Sequence, residues 1–248
     1  MRENTAEPRE LPTGGALSQN AGVSNDTNDA RWPKLLSLAV HEFRTPITVV
    51  AGYIRMVLRE RAGPISDQQR KLLEEAEKSC GKLSALVAEM SDLSLLEGGT
   101  AALNRSPLDL AEVLREAVAA LPELPDRSIT VALEGADRPV MLDGDAPRLR
   151  TALAALVTGL RREIVNSDRL IVRHVGTGKM ALLAMSEPGQ IDDVATADPS
   201  TLARFDEWRG GSGLSLAIAR RVITQHGGAI FSPPGDGKAG ALVLLPRP

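Results

Sequence analysis

At 248 residues, 43% hydrophobic and 25% charged, with a formal net charge of -3, the chain has the makeup of a globular protein of one or two domains and lacks the general basic field that draws nucleic acid or anionic lipid. Only Phe43, Phe205, Phe231, Trp32, Trp208 and Tyr53 are aromatic, too few rings for a base-stacking surface. The single cysteine, Cys80, excludes an intramolecular disulfide and a multi-cysteine metal centre and fits a reducing cytoplasm; no stretch approaches the roughly 18 uninterrupted apolar residues of a membrane span, and the start of the chain lacks a secretory leader's basic and apolar run.

Met1 to about Ala30 is rich in Asn, Ser, Thr, Gly, Glu and Pro without apolar periodicity, which predicts a disordered tail (1–30) that buries too little surface to offset its ordering entropy. From about Arg31 to Arg61, Leu36, Val40, Phe43, Ile47, Val50, Ile54 and Val57 step alternately by four and three. That is the heptad seam of one long helix, ended by Gly63-Pro64. Ser66 or Asp67 caps a second helix, with Leu72, Ala76, Leu83, Leu86, Met90 and Leu93 on a comparable stripe and Gly98-Gly99 as its stop. Residues 31–98 therefore read as a helical hairpin, with Cys80 a small core residue. One hairpin leaves each stripe half exposed, whereas two close a four-helix bundle, so a homodimer is expected.

Past a linker near Glu97 to Pro107, the segment 105–248 changes texture. Leu108 to Leu121 reads as a helix, Ser128 to Leu133 and Pro139 to Leu142 as short strands, and Pro147 to about Ile164 as a helix. Arg169 to Val175 and Lys179 to Ser186 pair around Gly176-Thr177-Gly178, followed by a polar loop from Glu187 to Ser212. Gly213 to His226 reads as an amphipathic helix capped by Gly227-Gly228, and Ala229 to Phe231 with Ala241 to Leu245 as a closing hairpin. The order predicts an α+β sandwich with helices on one face of a sheet. His174 falls in a strand without a second His, Cys or carboxylate at ligand spacing, so no metal site is assigned.

The chemistry concentrates in His41-Glu42-Phe43-Arg44-Thr45-Pro46. With Val40 and Phe43 on the seam, His41 falls one step outside it, where its ring reaches solvent while its backbone is held by the bundle. A neutral imidazole offers one ring nitrogen as a nucleophile, and Glu42 can orient the ring or take the proton of the other. Thr45 stands one turn on, on the same face, able to position a water, and Pro46 frees the Glu42 carbonyl from its helical hydrogen bond. At these residues the chain resembles the two-component sensor histidine kinases, whose phosphoacceptor segment reads His-Glu-(Leu/Phe)-Arg-Thr-Pro. The resemblance implies that His41 accepts a phosphoryl group, that Glu42 assists as base and that Thr45 supports dephosphorylation of a partner response regulator. It further implies that the hairpin dimerises and docks the receiver domain of that partner.

The resemblance continues into a GHKL-type ATPase-like domain and there becomes uneven. Gly210-Gly211-Ser212-Gly213-Leu214-Ser215-Leu216-Ala217-Ile218 looks like the family's glycine-rich segment, where Gly211, Gly213 and Leu214 would let backbone amides approach phosphates at a helix start. The family's last glycine is here Ser215. Gln225-His226-Gly227-Gly228 fits the end of that helix, and Phe205 resembles the aromatic of the nucleotide lid. The resemblance implies ATP and magnesium as cofactors, but Ala155 and Gly159 stand where two asparagines belong, and neither offers a side-chain oxygen to a magnesium ion. The adenine-binding Asp-X-Gly-X-Gly element falls on Ser186-Glu187-Pro188-Gly189-Gln190, leaving Ser186, or Glu187 after a one-residue shift, as acceptor. Arg161-Arg162 reads first as a solvated helix end, although Arg162 aligns with a basic position near the phosphates in the family.

These residues imply a cytoplasmic, homodimeric histidine kinase that phosphorylates His41 from ATP and passes the group to an aspartate of a response regulator. An ATP-independent histidine phosphotransferase or regulator phosphatase, and a non-catalytic scaffold, are the alternatives that the altered nucleotide motifs leave open. No sensor domain is visible, so the input is expected from an upstream partner or through the dimer.

Overall fold

The computed structural model describes residues 31–124, 128–209, 213–233 and 239–248; the expected tail and Gly211 lie outside them. Helix α1 (Trp32–Leu58) opens with Pro33 in its first turn, where a missing N–H costs nothing, and runs on through Pro46. Helix α2 (Asp67–Glu97) is started by a complete capping box: the Gln69 N–H donates to Ser66 Oγ at 3.3 Å and the Ser66 N–H to Gln69 Oε1 at 2.8 Å. Gly98 caps its end and Gly99 takes a positive φ of 64°. The two helices pack as an antiparallel hairpin in which Leu36 and Val40 of α1 and Cys80, Val87, Leu93 and Leu96 of α2 are buried, Leu36 and Leu93 against Ala217 and Leu96 in the core of the C-terminal domain. Phe43, Val50, Leu72, Leu83 and Leu86, also on the expected stripes, are exposed in the single chain, because one hairpin can cover only one side of each stripe.

The rest of the chain builds a domain of helices packed on a sheet. Strand β1 (Ser106–Asp109) pairs antiparallel with β3 (Met141–Gly144), and β2 (Thr130–Glu134), β4 (Arg169–Thr177), β5 (Met180–Ser186), β6 (Ala229–Phe231) and β7 (Gly240–Pro246) form a sheet of order β2-β4-β5-β7-β6. Only β2 and β4 run parallel. Alternation sorts the strands: Leu170, Val172, Leu183, Met185 and Val243 face a core shared with α3 (Leu110–Ala119), α4 (Ala146–Glu163) and α6 (Ser215–Gln225). The intervening Ile171, Leu182, Ala184 and Leu242 form a smaller cluster on the opposite face.

Four expectations are corrected. The segment from Leu108 is not helical at its start, because Leu108 belongs to β1 and Asp109 caps α3, its side chain accepting from the Ala111 N–H. The polar loop from Glu187 contains α5 (Ile191–Thr196) and a 3-10 turn (Pro199–Thr201). Since Ile191 and Val194 of α5 pack on that second cluster, helices cover both faces of the sheet rather than one. Arg161 is not solvated: it is buried, with Nε donating to the Ile129 carbonyl at 3.1 Å and Nη1 to the Pro122 carbonyl at 3.0 Å.

His226, at the end of α6, ties three elements together. Its Nδ1 donates to the Val222 carbonyl at 2.7 Å and its Nε2 accepts from the Asp145 N–H at 2.9 Å. Asp145 in turn caps α4, accepting from the Arg148 N–H at 3.1 Å. The ring lies so close to β3 that a Cβ on Gly144 would stand 2.9 Å from its Cδ2, which explains a glycine there.

Candidate functional site

His41 sits on the outside of α1, one position past the buried Val40. Its side chain is 79% exposed, and Nδ1 lies 3.2 Å from Glu42 Oε1. With Nδ1 protonated it donates to the carboxylate, which fixes the tautomer and leaves the Nε2 lone pair free in solvent. Thr45 is exposed on the same face one turn on, and Pro46 supplies no N–H to the Glu42 carbonyl. Thr48 Oγ1 donates to the Arg44 carbonyl at 2.8 Å and so satisfies one acceptor beside this break.

The nucleotide positions are placed differently. Ser186 is fully buried at the end of β5, and its hydroxyl donates to the Ala239 carbonyl at 2.9 Å. A side chain held in this way is part of the strand joint and offers no exposed oxygen to a base. Glu187 is buried beside it, accepting from Gln190 Nε2 at 3.1 Å. On α4, Ala155 is half-buried, Gly159 buried and Arg162 exposed. Phe205 belongs to the main core, with the Arg209 guanidinium 5.2 Å from its ring centroid. Arg209 also pairs with Glu163, Nε to Oε1 at 2.9 Å, across a largely buried contact. Gly213 has a φ of 62° ahead of Leu214, the N-cap of α6. Leu214 leans on the cluster of Leu36, Leu93 and Ala217.

Magnesium is therefore poorly served. Ala155 and Gly159 have no oxygen to give, and among the described residues no three His, Cys, Asp or Glu side chains converge on a metal-sized space. At the phosphate end, the described residues show only Gly213 at a φ of 62° ahead of Leu214 and the start of α6.

The sequence reading missed what brings the two regions together. Helix α6 lies along the lower half of α2: Ser215 Oγ donates to Glu89 Oε1 at 2.8 Å, Arg221 Nε and Nη2 donate to the two Glu97 oxygens at 2.6 and 2.7 Å, and Gln225 Nε2 donates to the Leu96 carbonyl at 3.3 Å. Ser94 Oγ donates to the Pro33 carbonyl at 2.8 Å and so sets the register of α1 against α2. Counting back from that pair, Glu89 lies level with Leu38, about 5 Å along the axis from the level of His41 at 1.5 Å per residue. No local signal marks the contacts of α6 with α2, because each joins residues more than a hundred positions apart.

Residues 34–99 match the His Kinase A (phospho-acceptor) domain. The circadian input-output histidine kinase CikA of Synechococcus elongatus is 27% identical over 236 residues, covering 91% of this chain and 31% of that protein. The sensor protein GacS of Pseudomonas syringae pv. syringae is 28% identical over 218 residues, covering 79% of this chain and 23% of its own length. The chain thus spans about a third or less of the curated relatives it matches. Among solved structures, full-length ShkA in complex with AMPPNP superposes with a TM-score of 0.64 at 23% identity, over 87% of this chain and 46% of that one. The histidine kinase AdeS of Acinetobacter baumannii gives 0.53 at 20% identity, over 84% and 98%. These two establish a shared fold.

Proposed function

We propose that this chain, whose residues 34–99 match the His Kinase A (phospho-acceptor) domain, works as a histidine kinase of a two-component system, that His41 is its phosphoryl-carrying residue and that it delivers the group to an aspartate in the receiver domain of a response regulator. The observation that carries this reading is the exposed imidazole whose Nδ1 faces Glu42 at 3.2 Å. Nε2 attacks phosphorus with its lone pair, the bond from phosphorus to the donor oxygen breaks, and that oxygen leaves with the electron pair. The imidazolium so formed keeps its Nδ1 proton against the Glu42 carboxylate, which stabilises the positive charge. In the onward step an aspartate oxygen attacks the same phosphorus and the neutral imidazole leaves. Thr45, one turn on, is suited to hold a water for hydrolysis of the product. The exposed apolar row of Phe43, Val50, Leu72, Leu83 and Leu86 supports pairing with a second copy.

In the autokinase form of this proposal the donor is ATP, its phosphates held at the start of α6 by the backbone around Gly213. A second form is favoured by Ala155, Gly159 and the buried Ser186: the donor is a phosphorylated receiver domain, and the C-terminal domain serves as a structural platform.

The test loads the full chain with phosphoramidate, a small donor that needs no nucleotide site, and in parallel with γ-labelled ATP and magnesium, using His41→Gln as the control. Acid-labile label from phosphoramidate that disappears in His41→Gln is the expected result. Equal labelling of the variant overturns the assignment. Label from ATP in the unaltered chain selects the autokinase form, and label from phosphoramidate alone selects the second.

A further inference from the structure

Glu163 continues the side of α4 that carries the two substituted positions. Ala155, Gly159 and Glu163 follow one another at four-residue spacing, so they lie on successive turns of one side of the helix. Arg209 is drawn across that side. Its Nε donates to Glu163 Oε1 at 2.9 Å and its Nη2 donates to Glu163 Oε2, a two-pronged pair whose side chains are only 18% and 15% exposed. An ion pair in open solvent contributes little, but one withdrawn to this degree is held firmly, since removing either partner strands the other charge in a poorly solvated place.

The same guanidinium reaches the other groups that a nucleotide would have to meet. Its Nη1 stands 3.5 Å from the Gly240 carbonyl oxygen, and Gly240 is the partner of Ser186 in the β5–β7 register, where the adenine acceptor is expected. The strands leave no slack there: Ser186 Oγ donates to the Ala239 carbonyl, and a Cβ on Gly240 would stand 2.6 Å from the Met185 carbonyl oxygen. Arg209 Cζ is also 5.2 Å from the centroid of the Phe205 ring, so a flat cation covers the aromatic face on which a flat base would otherwise stack. One side chain thus bridges α4, the end of β5 and β7, and Phe205.

We propose that the Arg209–Glu163 pair fills the place of a purine base in the C-terminal domain and closes that domain to adenine nucleotides. This deepens the second form of the proposed function and rests on it: the domain is a platform, and His41 draws its phosphoryl group from a receiver domain. Beyond Cβ the two side chains carry about ten non-hydrogen atoms, as many as the ring system of adenine. Carboxylate and guanidinium neutralise one another, so the filling leaves no net charge in the space it occupies.

The experiment titrates a ribose-labelled fluorescent ATP analogue with magnesium, and separately 2-aminopurine, a fluorescent isomer of adenine, into the full chain, its Glu163→Gln variant and the double variant Arg209→Ala with Glu163→Ala. A thermal midpoint is measured for each. The unaltered chain is expected to show no saturable binding of either probe up to about 1 mM. The double variant leaves no stranded charge and opens the space over Phe205, so it is expected to bind 2-aminopurine saturably. Glu163→Gln strands the guanidinium and is expected to melt several degrees lower while binding neither probe. Saturable binding of the ATP analogue by the unaltered chain overturns the proposal, as does an unchanged midpoint in Glu163→Gln or a cooperatively melting double variant that binds no 2-aminopurine. The first two results decide the matter even where the double variant fails to fold, and the phosphoramidate labelling of His41 stands on its own result throughout.

Discussion

The hairpin and the C-terminal domain handle apolar surface in opposite ways. In α4, Leu149, Leu153, Leu156 and Leu160 are closed to solvent within one chain. In the hairpin, Phe43, Val50 and Leu83 stand 51%, 49% and 49% exposed, although they repeat with equal regularity. Polar groups follow the same split. His41 projects into solvent, while Ser186, Arg161 and His226 are spent on main-chain partners inside the fold. A domain whose core is closed within one chain, with Leu96 of the hairpin as part of it, has the means to stand as a platform, and a hairpin that leaves both a nucleophile and an apolar row uncovered is built to meet other molecules.

Large-to-small substitutions should separate the two regions most strongly. Leu153→Ala removes a fully buried side chain at the centre of the sandwich and is expected to cost about 2–5 kcal/mol, read as a lowered urea midpoint at unchanged slope. Leu83→Ala removes a half-exposed side chain, so the same measurement on dilute protein should move by less than about 1 kcal/mol. Its effect belongs to association: if a second copy covers Leu83, the variant self-associates about tenfold more weakly in sedimentation across a concentration series. Equal association of the two proteins would place the dimer contact elsewhere. Ser66→Ala tests local rather than shared stability in the hairpin. It removes the acceptor of the Gln69 N–H and is expected to cost about 1 kcal/mol, seen as earlier fraying of the first turn of α2 in hydrogen exchange.

What could be read from the sequence divides along the same line. The hairpin was legible because its signals are local and repeated: heptad steps, a capping residue at Ser66 or Asp67, and six consecutive residues from His41 to Pro46. Most strands of the sandwich were legible from alternation. Helix α5 was not, since a six-residue helix with Ile191 and Val194 as its apolar contacts shows no period. Leu108 looked helical because the strand that claims it is set by Leu142, its partner in β3. Arg161 looked solvated because the carbonyls that hold it, from Ile129 and Pro122, lie in a distant turn and strand entry. The nucleotide site was legible as a list of missing side chains. That Ser215 serves Glu89 was invisible, since the pairing exists only once the domains meet.

The histidines sharpen the contrast with the smallest effect. Burial, the leading cause in each, pushes both His174 and His226 below the ordinary imidazole value, and hydrogen bonds to the main chain offset this only in part. In the unfolded chain each titrates near 6.5, so just below that pH the unfolded state binds more protons than the folded one. The stability they contribute is full above about pH 6.5, declines as pH falls through that value, and levels off below the lowered folded values. His226 carries the sharper structural consequence, because a proton on Nε2 would set one donor against the Asp145 N–H and undo the link between α6 and the start of α4. Urea midpoints between about pH 8 and pH 5.5 should therefore fall in the unaltered chain and fall less in His226→Gln, which starts lower but has no imidazole to protonate. A decline of the same size in both would assign the pH dependence to His174 and the carboxylates.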